Sequence, residues 1–407
     1  MTGAGSHPTG PASTIGVVGG ARDATVDGRG VVSPRVSGWE LDWWIGADDR
    51  WRIPAREAAV RQQLVDGMPV VQTAMRVPGG DAVHHAYAAP VGDVGEVAVV
   101  DVANDSPAPF VVALVVRGAS ALDLDGATVY ADGRAALRTT RPPSRWAASV
   151  DGTTEATVTS GAAADGPFAH RQDRGARLVG AFLFPVAHRT TLRAVVSLGT
   201  RGIGTAEPGG LPDATSVARG WRAQLDRGLR VELPDERLQR AVETARAATV
   251  LAGQAWRVDP DVAAVLEDWG LDAEAAVAWS RLTGRARRRL SRRQPGRARW
   301  SEVLDRAAVP DVRLLAALRA LLVQDRDVGV AVFDDWPTAW VGLPVDVRDA
   351  PTRRGPVSCS VRWHGERPAL LWEGPSGTTF TAPGLDPTWS STDARGEALL
   401  APFVARD

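Results

Sequence analysis

Four tryptophans and four carboxylates fall within residues 38–51: Trp39, Trp43, Trp44 and Trp51, with Glu40, Asp42, Asp48 and Asp49. Flat apolar indoles can stack on the C–H faces of a sugar, while carboxylates accept hydrogen bonds from its hydroxyls. The same residues can also anchor the core of a β-sheet. Strand alternation puts Trp39, Leu41 and Trp43 on one face and Glu40, Asp42 and Trp44 on the other. One face must then be core. Glu40, Asp42 and Trp44 are the better ligand candidates of this segment.

Further acids stand beside aromatics: Glu267-Asp268 before Trp269, Glu302 beside Trp300, and Asp334-Asp335 before Trp336. Glycoside hydrolysis uses two carboxylates across the scissile bond, about 6.5–9.5 Å apart when the enzyme inverts. Glu267, Asp268, Glu302 and Asp335 are the candidate catalytic residues, and Trp269 and Trp336 the candidate sugar floor. Glu267 and Asp268 fall near an expected helix C-terminus, where the dipole disfavours anions and can raise a carboxyl pKa. Adjacent acids on a helix are also ordinary solvated surface. Nothing in the spacing sets two of them across one cleft.

Other chemistries are less well provided for. The histidines are His7, His84, His85, His170, His188 and His364, and no two share a helical face at ligand spacing. His84 and His85 are neighbours on an expected strand and so point to opposite faces. No metal site is expected. Cys359 is the single cysteine, which excludes an intrachain disulfide. The run Gly16-Val17-Val18-Gly19-Gly20 precedes no helical pattern and is neither a phosphate loop nor a dinucleotide fingerprint. No cofactor is implied.

The net charge of −1 over 407 residues gives no global pull toward nucleic acid or membrane. The sequence holds no lysine, so its 47 basic residues are all arginine. Eight of them, Arg285, Arg287, Arg288, Arg289, Arg292, Arg293, Arg297 and Arg299, cluster within fifteen residues. The only aromatic there is the closing Trp300. A solvated connection is favoured over a nucleic-acid patch, and no nucleic-acid partner is expected. No run approaches the roughly 18 apolar residues of a membrane span. The Gly-, Ser- and Pro-rich start, residues 1–23, reads as a flexible tail, and a cytoplasmic protein is expected.

The elements that must position these residues fall into three blocks. Residues 24–205 read as an antiparallel β-sandwich. Hairpins are expected at 69–75 with 82–88, at 96–102 with 110–116, and at 178–185 with 191–198. Residues 199–213 read as a linker. A helical block follows at 206–327, with caps at Asp235, Asp259, Asp272 and Asp311 and a strong apolar face on Leu314, Leu315, Leu318, Leu321 and Leu322. A small β segment, 328–407, closes the chain. The fold class is α+β and multidomain.

This order resembles bacterial proteins related to glucoamylases and glycogen-debranching enzymes, in the six-hairpin glycosidase superfamily. The phrases that carry the likeness are residues 38–51, residues 315–325 leading to Trp336-Pro337-Thr338-Ala339-Trp340, and Asp349-Ala350-Pro351-Thr352 through Gly355-Pro356-Val357-Ser358. It spans most of the chain after about Asp27 and is one of pattern and order. It implies a β-sandwich before an α/α toroid, and action on α-glucans.

The departures matter. Twelve helices of about 11–12 residues with loops of about 4–6 need near 190 residues at the least. Residues 234–327 hold about five. The proteins that this chain resembles tend to carry a Gly-rich stretch with Asp and His after an element pairing Trp with Glu. Here Trp300-Ser301-Glu302-Val303 leads through residues 304–309 directly to the last helix. The expectation is a degenerate, non-catalytic module for carbohydrate binding or assembly. The alternative is an active inverting glycosidase using paired carboxylates of the helical block. A shortened toroid leaves apolar helix faces, to be covered by the final β segment or by a second copy of the chain.

Overall fold

The computed structural model describes residues 12–92, 95–168, 171–172, 177–284 and 298–405. The fold is mixed α+β, with several antiparallel sheets and, among the described residues, seven α-helices. The chain forms two compact units, residues 1–220 and 221–407, and the division falls inside the helix Ala214–Leu225. Among the described residues no helix is long and apolar enough to cross a membrane. Of the arginine cluster only Arg299 lies within the described residues; His7 and His170 lie outside them.

In the first unit two antiparallel sheets face each other. The eight-stranded sheet is built around Glu40–Gly46, Phe110–Ala119 and Leu178–Val186. The nine-stranded sheet is built around Gly80–Val91, Gly95–Asp105 and Thr191–Ser197. Leu41, Trp43, Leu114 and Phe182 from one sheet share a core with Ala86, Val100 and Val196 from the other. The alternation expected for Leu41 and Trp43 is therefore seen.

The pair Val71–Val77 and Gly80–Val91 is a hairpin turning at Pro78-Gly79, with Gly79 at φ +75. The other two expected hairpins are not hairpins. Gly95–Asp105 and Phe110–Ala119 lie in different sheets, as do Leu178–Val186 and Thr191–Ser197. The intervening turns are corners between sheets. Buried Asn104 holds both corners, its amide donating to Ala108 O at 2.9 Å and to Val186 O at 3.2 Å. A strand–turn–strand pattern reports a reversal, not which sheet receives the second strand.

The expected linker is docked rather than free. Ile203, Ala206 and Leu211 pack on Val97 and Val195 at the outer face of the nine-stranded sheet. Arg193 donates to Leu211 O at 2.9 Å, and Tyr87 donates to Pro212 O at 2.9 Å.

In the second unit the helices among the described residues, after the end of Ala214–Leu225, are Glu236–Gly253, Pro260–Asp268, Asp272–Arg281, Trp300–Arg306 and Val312–Leu322. Asp235, Asp259 and Asp311 accept hydrogen bonds from first-turn N–H groups, as expected of caps. Asp272 does not cap. It is the first helical residue, after Leu271. A five-stranded and a four-stranded sheet complete the unit. Leu314, Leu318 and Leu322 share one core with Val330, Val347, Val361 and Phe380, so strands of the closing segment cover those helix faces.

Candidate functional site

The strand Glu40–Gly46 is buried along both faces. Trp44 belongs to a second core with Ile53, Ala113, Val158 and Leu183, beneath the helix Thr154–Thr159. That helix falls where the sequence was read as strands. The Trp44 indole donates to Asp42 Oδ2 at 2.9 Å, and Arg117 donates to the same oxygen at 2.8 Å. The Arg117 guanidinium also sits 5.3 Å from the centre of the Trp44 ring. The face offered to a sugar in the sequence reading is therefore closed: its indole is covered and its carboxylate spent on protein donors. Glu40 lies half-buried at the end of this group. Desolvation raises its carboxyl pKa, with Arg117 pulling the other way.

Trp51 behaves differently. It pairs with Gly46 across the sheet edge. A Cβ at Gly46 would stand 2.9 Å from the indole, so the ring lies against bare backbone and is fixed there. Trp51 lines an open groove of about 420 Å³ with Arg50, Ile53, Arg56, Glu57, Glu155 and Thr159. Among the described residues nothing accepts its indole N–H.

Two guanidinium–carboxylate forks flank this ring. Arg50 grips Glu57 through both oxygens, the longer contact at 2.9 Å, and holds that carboxyl below its usual pKa. Arg56 grips Glu155 in the same way, again with a 2.9 Å contact. Close by, Arg52 forks onto Asp49 at 2.7 Å, and the Asp49 pKa falls to about 2. The groove thus offers an aromatic platform, an indole donor and carboxylate and guanidinium groups that hold one another in place. Such a set suits a polyhydroxylated ligand.

The acids next to Trp51 are visible in the sequence, whereas the groove is not. Arg50, Arg56 and Glu57 are near in sequence, but Glu155 lies 99 residues from Arg56 and gives no local signal.

In the second unit the aromatic candidates are core residues. Trp269 is buried, donates to Leu315 O at 3.2 Å and carries Arg246 over its ring at 5.5 Å. Trp336 is buried in an aromatic cluster with Phe333, Trp340 and Trp363, its indole N–H unpartnered.

The acids there are mostly engaged. Glu302 pairs with Arg306 at 3.1 Å, one helical turn away, and Asp334 pairs with Arg326. Asp335 Oδ1 accepts from the Trp336 backbone N–H at 2.9 Å, while its carbonyl takes the Trp300 indole at 3.0 Å. Glu267 accepts from the half-buried Trp279 indole at 3.1 Å. Asp268 stands apart: solvent reaches it, yet crowding raises its carboxyl pKa against the opposing pull of Arg319. Glu267 and Asp268 are neighbours on one helix end, and Trp300, two residues before Glu302, bonds the Asp335 carbonyl.

No family model matches this chain, and no curated protein matches its sequence. Among the described residues no group of three or more His, Cys, Asp and Glu could hold a metal ion.

Proposed function

We propose that this chain is a non-catalytic carbohydrate-binding module with the layout of a reduced six-hairpin glycosidase, a β-sandwich followed by a shortened helical set. The observation that carries the proposal is the groove at Trp51. Sugar binding needs an apolar ring face that water can leave, flanked by polar groups already held in position. Trp51 on Gly46, between the Arg50–Glu57 and Arg56–Glu155 forks, supplies both. The engaged acids and buried Trp269 and Trp336 support the non-catalytic part.

Calorimetric titration with malto-oligosaccharides tests it. Binding that is lost in Trp51→Ala and kept in Trp279→Ala is expected. The absence of heat with the wild-type protein overturns an α-glucan role.

The alternative of an inverting glycosidase would draw its general acid from Asp268, whose carboxyl pKa desolvation raises beside Glu267 at the helix end. Release of reducing sugar from maltodextrin, abolished by Asp268→Asn, would decide for that reading.

A further inference from the structure

The helix Asp272–Arg281 has two unlike faces. Glu274, Ala275 and Ala278 turn inward, while Ala273, Ala276 and Val277 form a low, exposed apolar ridge. At its C-terminal end Arg281 donates to Ala255 O at 3.1 Å, which fixes the loop carrying Trp256 beside the helix. Trp256 is 93% exposed, more than any other large apolar side chain among the described residues. An indole held in water forgoes the burial free energy of the largest apolar side chain. A surface with both a proud indole and a flat ridge of small residues carries a projection and a seat for it.

The charges on this face give the orientation. Asp272 stands exposed at the N-terminus of the helix and Arg281 exposed at its C-terminus, nine residues or about 13 Å apart. Two copies of the helix laid antiparallel about a two-fold axis bring each Asp272 opposite the other copy's Arg281. They also oppose the two helix dipoles. A parallel arrangement would set like charges together. The same two-fold axis carries each Trp256 from the C-terminal end of its own helix toward the Ala273 end of the other. Such an interface closes on itself and leaves no repeat to propagate.

We propose that a second copy of this chain docks on the outer face of the Asp272–Arg281 helix, with Trp256 of each copy seated on the small-residue ridge of the other and Asp272 paired to Arg281 across the axis.

Sedimentation velocity and light scattering on the full chain at micromolar concentration test this. The wild-type protein is expected at twice the 43.0 kDa of one chain. Trp256→Ala and Val277→Arg, both at exposed positions, are each expected to weaken self-association at least tenfold without changing the circular dichroism or the melting temperature. Asp272→Arg, which sets like charges against Arg281 across the axis, weakens it as well. A monomeric wild-type protein overturns the proposal. So does a dimer that survives both Trp256→Ala and Val277→Arg, and so does self-association unchanged in Asp272→Arg.

Discussion

Asp42 accepts the indole N–H of Trp44 at 2.9 Å across one strand face. Two residues apart on a strand, they share that face by alternation, and the bond makes the face structural. The Asp42 carboxylate, buried with the Arg117 guanidinium at 2.8 Å, balances a charge that the same core desolvates in part. Removing one partner of such a pair strands the other. Asp42→Ala is expected to cost about 3 kcal/mol. Arg117→Met in the Asp42→Ala background should recover part of it. Urea unfolding of the two variants checks this, and a loss below about 1 kcal/mol for Asp42→Ala would show that the carboxylate is not a structural partner.

Gly46 keeps the Trp51 groove in shape. Its absent side chain is where the indole lies, since a Cβ there would stand 2.9 Å from the ring. Gly46→Val is therefore expected to tilt Trp51 and to destabilise the sandwich unit by about 1–3 kcal/mol through overpacking. Gly46→Val combined with Trp51→Ala should remove most of that cost. Thermal unfolding of the single and double variants measures it. Simple additivity of the two substitutions would contradict the contact.

What the sequence made legible was local. Alternation gave Leu41 and Trp43 to a core, and three of four aspartate caps were read from a carboxylate before an apolar period. What it hid was long-range. The partner of Trp44 Nε1 is two residues away, but the core around that ring takes in Val158 from a short helix more than a hundred residues on. The forks at Trp51 depend on Glu155, brought in by the fold alone. Asn104 joins two corners 82 residues apart, so neither turn signature revealed that the strands change sheets. Acids next to tryptophans pointed to a cleft, whereas in the second unit those indoles pack inward.

His84 should make the sandwich unit sensitive to mild acid. Its ring stacks on Trp43 at 5.0 Å, and its Nδ1 is buried without a partner. Thr73 and Val102 flank it on the neighbouring strands, Gly30 lies over it, and His85 faces the opposite side with Asp101. Among the described residues no carboxylate pairs with the buried ring, and burial lowers its pKa from 6.5 to about 3. The folded protein then stays neutral there while the unfolded chain takes up a proton below about 6.5. Stability is present in full above that value and is lost as pH falls toward 3, by up to about 1.4 kcal/mol per pH unit. The half-buried His85, its pKa also lowered by desolvation, adds in the same direction. Denaturant midpoints at pH 7 and pH 5, above the range of most carboxylates, isolate the effect. An equal slope in His84→Leu would rule out His84 as its source.

The strap over the nine-stranded sheet hangs on one buried ion pair. Arg193 forks onto Asp101 at 2.7 and 2.9 Å, and its remaining reach goes to Leu211 O. The Tyr87 phenol stands 2.9 Å from both Asp101 Oδ2 and Pro212 O, and its single proton is shared between the two acceptors. The phenol pKa is pushed up by desolvation and by the Asp101 charge, so it stays a donor through the neutral range. Asp101→Asn keeps the shape but removes the charge that orders Arg193. The expected result is local release of residues 199–213, with stability lower by about 3 kcal/mol. Tyr87→Phe should loosen the strap by about 1 kcal/mol, one neutral hydrogen bond. Hydrogen exchange reads the two apart: protection falls steeply across residues 203–211 in Asp101→Asn and slightly in Tyr87→Phe. Unchanged exchange in both variants would mean that Ile203, Ala206 and Leu211 hold the strap by packing alone.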